Sequence, residues 1–114
     1  MPFQLKRVYE TPTREDGMRV LVDRLWPRGL AKDAARVDLW AKDISPSTEL
    51  RQWFDHKPER WAQFQERYAA EIKDHTETLT LLRREAKRRV ITLLYGSRET
   101  VFNNAAALKQ YLKQ

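Results

Sequence analysis

The sequence predicts a small three-layer α/β domain over residues 1–114, with a mostly parallel central sheet flanked by helices. Arg19-Val20-Leu21-Val22-Asp23 and Val90-Ile91-Thr92-Leu93-Leu94-Tyr95 are short apolar runs, the pattern of strands covered on both faces. Between them, residues 47–86 carry apolar side chains at helical spacing. Strands buried on both sides need helices to cover them, which selects the layered arrangement. A chain of 114 residues falls in the size range of one domain. It can bury roughly two-thirds of its unfolded surface around one core.

Phe3 to Tyr9 reads as a first strand with Phe3 and Leu5 on one face. Thr11 to Gly17 is a loop with a turn signal at Asp16-Gly17. This connection of about nine residues is short for a parallel crossover, which needs a dozen or more, so the relative direction of the first two strands stays open. After Asp23 the chain leaves the sheet, because Pro27 and Gly29 both interrupt regular structure. Val37 to Ala41 is a weaker strand or extended segment. Ser45-Pro46-Ser47 offers a cap serine and a first-turn proline, and Leu50, Trp53 and Phe54 then share one helical face. Pro58 opens the next helix, with Trp61, Phe64, Tyr68 and Ile72 as its buried stripe. Asp74-x-x-Glu77 resembles a capping pair for a third helix, whose apolar face is Leu79, Leu82 and Ala86. Gly96 ends the Val90–Tyr95 strand. Asn103 or Asn104 caps a last helix with Leu108, Tyr111 and Leu112 facing inward. The two apolar runs are expected to be central, neighbouring and parallel. Trp53, Phe54, Trp61, Phe64 and Tyr68 are expected to be largely buried.

Composition narrows the function classes. With 22 Lys and Arg against 16 Asp and Glu, the net charge is +6, which favours anionic partners. The acids and bases interleave, and the densest basic run, Arg83 to Arg89, falls at a helix end, where positive charge suits the helix dipole. Absence of cysteine excludes a disulfide framework, thiolate zinc sites and a cysteine nucleophile. No run reaches the ~18 apolar residues of a membrane span. The first residues carry no apolar stretch of signal-peptide length, so a cytoplasmic location is expected. No metal-ligand spacing or phosphate-binding glycine motif is present, and no cofactor is expected.

Candidate chemistry gathers beyond two strand ends, where ligands collect in open α/β sheets. The first end gives Asp23, Arg24 and Arg28. The second gives Tyr95 and Ser97, followed by Asn103 and Asn104 at a helix start. Asp23 and Tyr95 are the candidate catalytic residues, Asp23 as a base or as the partner of an arginine. Arg24, Arg28, Ser97, Asn103 and Asn104 are the candidate ligand contacts, since arginine forks and helix-start N–H groups both suit carboxylate or phosphate. Each of these residues also has a plain structural reading: Asp23 and Arg24 tying down a loop, Trp26 in the core, Asn104 as a cap. His56 reads as a hydrogen-bonded connector between helices, because no serine or cysteine partner is placed by the sequence.

The segment Val22-Asp23-Arg24-Leu25-Trp26-Pro27-Arg28-Gly29 is long and specific. With Lys6-Arg7-Val8-Tyr9, Ser47-Thr48-Glu49-Leu50-Arg51, Trp53-Phe54, Arg67-Tyr68, Leu93-Leu94-Tyr95 and Asn104-Ala105, it resembles the YeaO-like bacterial proteins across essentially the whole chain. That is a domain-of-unknown-function family, so the resemblance implies a small cytoplasmic α/β domain and no established activity. A wider branch of the group looks similar at the same two strand ends but carries cysteine and histidine at the start of the last helix. Here that stretch is Arg98-Glu99-Thr100-Val101-Phe102-Asn103-Asn104, and cysteine-dependent chemistry does not carry over.

Three functions compete. The first is a site for a small anionic molecule, with or without catalysis. The second is weak, sequence-independent nucleic-acid binding through Arg83, Arg84, Lys87, Arg88 and Arg89. The third is an interaction module without chemistry. The position of the arginines separates them: a concave rim favours the first, one continuous exposed basic face the second.

Overall fold

A computed structural model describes residues 2–114. Four strands form one sheet: β1 (Phe3–Arg7), β2 (Met18–Leu21), β3 (Leu39–Trp40) and β4 (Ile91–Tyr95). Their spatial order is β1-β4-β2-β3 and every pairing is parallel. The two apolar runs are therefore neighbours at the centre, with Val20 opposite Leu93 and Leu21 opposite Leu94. The first two strands run in the same direction because both pair parallel with β4, which lies between them. Their short connection needs no helix. Ten extended residues reach about 33 Å, twice the ~17 Å length of a five-residue strand.

The helices are α1 (Lys32–Ala35), α2 (Thr48–Phe54), α3 (Trp61–Ile72), α4 (Thr76–Ala86) and α5 (Asn104–Leu112). Helices α2 to α5 build the main core on one face of the sheet. There Val20, Val22, Ile91, Leu93 and Tyr95 meet Leu50, Phe54, Phe64, Leu82 and Leu108. Phe54 and Phe64 stack at 4.3 Å, and the buried Tyr68 hydroxyl donates to the Ile44 carbonyl at 2.5 Å. Trp53 and Trp61 are only half-buried, at the edge of this core. The guanidinium of Arg67 covers the Trp53 ring at 4.1 Å in place of apolar neighbours.

Helix starts follow the capping chemistry with two adjustments. Ser47 caps α2, its hydroxyl accepting the Leu50 N–H at 3.1 Å, so Pro46 precedes the cap and is not in the first turn. Helix α4 starts at Thr76 behind His75, and Asp74 lies outside it. Pro58 opens a short turn that runs into α3, and Asn103 caps α5.

The opposite face is thinner, covered by loops and the single turn of α1. Val8, Leu21 and Leu94 pack there with Trp26, Leu30, Val37 and Trp40. Beside them lies a buried ionic cluster. Arg19 Nη1 meets Asp16 at 2.6 Å, its Nη2 donates to the Ala35 carbonyl at 2.8 Å, and Lys6 Nζ reaches Asp16 at 3.0 Å. This network ties α1 and the connection after β1 to the sheet. Gly17 makes the tight entry to β2 possible. Its φ is +62°, and a Cβ there would lie 2.2 Å from the Val90 carbonyl oxygen.

Candidate functional site

In a parallel sheet all carboxyl ends open on one side. Chain segments leaving β1, β2 and β4 therefore converge there with the end of α2 and the start of α5. They enclose a cleft of about 580 Å³.

Asp23, two residues past β2, holds the floor together. Its Oδ2 accepts the Gly96 N–H at 2.7 Å, and its Oδ1 accepts from the Asn104 side-chain amide at 3.0 Å. The same Asn104 nitrogen donates to the Val22 carbonyl at 2.6 Å, and Trp40 Nε1 donates to the Asp23 carbonyl at 2.7 Å. One residue thus joins the exits of β2 and β4, the start of α5 and the edge strand β3. Burial pushes the Asp23 carboxyl above its ordinary pKa; the hydrogen bonds from Asn104 and Gly96, and the charges of Arg51 and His56, oppose that rise. The expected Asp23–arginine pairing is not what forms. Among the described residues, no cationic nitrogen lies within 4.0 Å of this carboxylate.

The cleft brings together Asp23, Arg28, Ser97 and Asn104 from the sequence-predicted set. Arg28 is exposed at the mouth, and its carbonyl accepts the Tyr9 hydroxyl at 2.9 Å, which moors the loop after β2. Ser97 donates its hydroxyl to the Glu99 carbonyl at 3.2 Å, while its own carbonyl accepts from Arg7 Nε at 2.9 Å. The other predicted residues face elsewhere. The Arg24 guanidinium turns to the main chain before α2, donating to Ser45 at 2.7 Å and Pro46 at 3.2 Å. Tyr95 is buried in the main core, and burial raises its hydroxyl pKa. Asn103 is a cap, accepting the Ala106 N–H at 2.8 Å and donating to the Glu99 carbonyl at 2.9 Å.

Two basic residues that the strand ends do not supply complete the site. Arg51 and His56 line the cleft from α2 and the turn that follows it. A signal for Arg51 exists in the sequence. It stands three residues before the buried Phe54, which places it beside the face that α2 packs on the core. His56 Nδ1–H donates to the Phe102 carbonyl, 3.1 Å away, as a connector would, yet the residue also borders the cleft. Asp55 and His56 both hold left-handed backbone, φ +49° and +51°, a conformation that costs energy in residues with a Cβ and tightens the end of α2 around the site.

Among the described residues, no group of three His, Asp or Glu side chains gathers as metal ligands would. Three members of the basic run at the end of α4 are engaged locally. Arg89 and Arg88 meet Glu85 at 3.0 and 3.6 Å, and Arg83 donates to the Leu112 and Tyr111 carbonyls. No helix among the described residues is long and apolar enough to cross a membrane.

Residues 2–114 match a family model described as the inactive DUF488-N3 subclade. The chain belongs to this YeaO-like family. It is 43% identical over 113 residues to the uncharacterized protein YeaO of Escherichia coli K12, covering 99% of this chain and 98% of that protein. It is 45% identical over 109 residues to the uncharacterized protein Rv3073c of Mycobacterium tuberculosis H37Rv, covering 96% of this chain and 92% of the relative. No solved structure matches the chain.

Proposed function

We propose that the cleft at the strand ends binds a small anionic molecule, a carboxylate or phosphate, and that the protein binds this molecule without transforming it. The observation that carries the reading is the placement of Arg28, Arg51 and His56 around one cleft at the carboxyl ends of a parallel sheet. Guanidinium groups at the mouth suit planar acids and phosphates. Binding without chemistry is supported by the description of the matching subclade as inactive. It is supported again by the lining: the Ser97 hydroxyl is spent on the Glu99 carbonyl, and Asp23 is held by structural partners.

Nucleic-acid binding has less support, because the basic run is partly neutralised by Glu85 and by main-chain carbonyls. The test is thermal unfolding in phosphate. A ligand at ten times its Kd adds about 1.4 kcal/mol of stability, several degrees of Tm for a domain this size. Arg28→Ala and Arg51→Ala should lose that gain while folding normally. Full stabilisation in both variants refutes the site.

A further inference from the structure

The cleft holds opposite charges at different depths. Asp23 lies at its floor, half-buried, each carboxylate oxygen accepting one hydrogen bond from a neutral donor, Gly96 N–H or the Asn104 amide. A carboxylate has about four acceptor positions, so each oxygen retains capacity for another donor. No cation of the described chain comes within 4.0 Å to use it. Arg28 and Arg51 are exposed and line the same cleft, so positive charge stands at the mouth and negative charge below it. Leu25, Pro27 and Phe54 supply apolar lining between polar groups.

We infer that the ligand is a small zwitterion of the amino-acid type, whose ammonium group donates to Asp23 while its acid group meets Arg28 and Arg51. This rests on the anion-site reading and narrows it. A molecule with negative charge alone satisfies the arginines but brings its charge towards an unneutralised carboxylate, and like charges brought together in a partly dehydrated cleft repel. A molecule with positive charge alone satisfies Asp23 but meets two guanidinium groups. A molecule carrying both charges on one short apolar body satisfies both ends. Its ammonium also offsets the cost of burying Asp23, the same burial that lifts the carboxyl pKa.

The experiment compares matched probes by calorimetric titration at neutral pH. One set is phenylalanine, hydrocinnamate and phenethylamine; a smaller set is leucine, isocaproate and isoamylamine. Within each set the members share the apolar body and carry both charges, the acid alone or the amine alone. In at least one set the amino acid should bind about tenfold or more tightly than either partner, the scale of one charged hydrogen bond. Asp23→Asn should abolish the preference over the acid, and Arg28→Ala the preference over the amine. Because the unaltered protein already gives the ratio, a variant that fails to fold does not remove the test. Equal binding of amino acid and matching acid, still dependent on Arg28, overturns the zwitterion and leaves the anion site standing. Failure of all six probes and of phosphate to bind overturns both.

Discussion

Replacing Asp16 by asparagine tests the ionic cluster that holds the thinner face of the sheet. Asp16 and Arg19 side chains are each 4% exposed and meet at 2.6 Å, with Lys6 on the other carboxylate oxygen at 3.0 Å. Burial alone would raise the Asp16 pKa. The Thr13 N–H, Lys6, Arg19 and the Thr13 hydroxyl outweigh it and hold the carboxyl at about 2, below its ordinary 3.8. Because the folded pKa is depressed, the contribution is fully present above the unfolded pKa and is lost as pH falls through the folded one. The difference corresponds to about 2 kcal/mol. At neutral pH the substitution also leaves Arg19 buried without its anion, for a total loss of about 3–5 kcal/mol. Urea unfolding of both proteins between pH 7 and pH 2 is the assay, since the gap between them cancels the titration of other carboxylates. The gap should be wide at neutral pH and narrow by about 2 kcal/mol as pH falls below about 4. A gap that stays constant with pH refutes the ion pairing, and a loss below about 1 kcal/mol at neutral pH refutes the burial.

Three further outcomes follow from the packing. Phe64→Ala should cost about 3–5 kcal/mol in chemical unfolding, whereas Trp61→Ala should cost clearly less, because Phe64 is buried and Trp61 half-exposed; equal losses would contradict the burial pattern. Asn103→Ala should cost about 1 kcal/mol by removing the cap of α5, and Asn103→Ser should recover most of it; no difference between the two would mean the cap contributes nothing. Gly17→Ala should destabilise by more than ~1 kcal/mol, because the new methyl group meets the Val90 carbonyl and the backbone is left-handed; a neutral result in urea unfolding would contradict the close approach.

The fold was legible where local chemistry and burial point the same way. The runs Arg19–Asp23 and Val90–Tyr95 are apolar on both faces, and in the structure they pair at the sheet centre. Their direction relative to the first strand was not legible, since it depends on β4, which arrives some seventy residues after β2 in the chain. The aromatic stripe identified the core, but Trp53 near the end of α2 and Trp61 at the start of α3 lie at its edge and stay half-exposed. In the site, Asp23, Arg28, Ser97 and Asn104 share a cleft because strand ends impose proximity. Arg24 leaves the expected site and Arg51, given no role by the sequence, enters it. Arg24 directly follows the strand yet turns to the Ser45 and Pro46 carbonyls, which only the folded chain brings near. Arg51 belongs to a helix whose docking, not whose sequence position, carries it to the cleft. Tyr95 and Asn103 stand at the edges of the polar stretch after β4, but strand alternation sends one into the core and capping consumes the other.

Phosphate titration of the isotopically labelled protein, followed residue by residue through its backbone amide resonances, tests the anion-binding cleft most directly. Saturable shifts are expected at Arg28, Arg51 to His56 and Gly96 to Ser97, lost together in Arg28→Ala. Shifts centred on Arg83 to Arg89, with the Gly96–Ser97 amides unmoved, would contradict it.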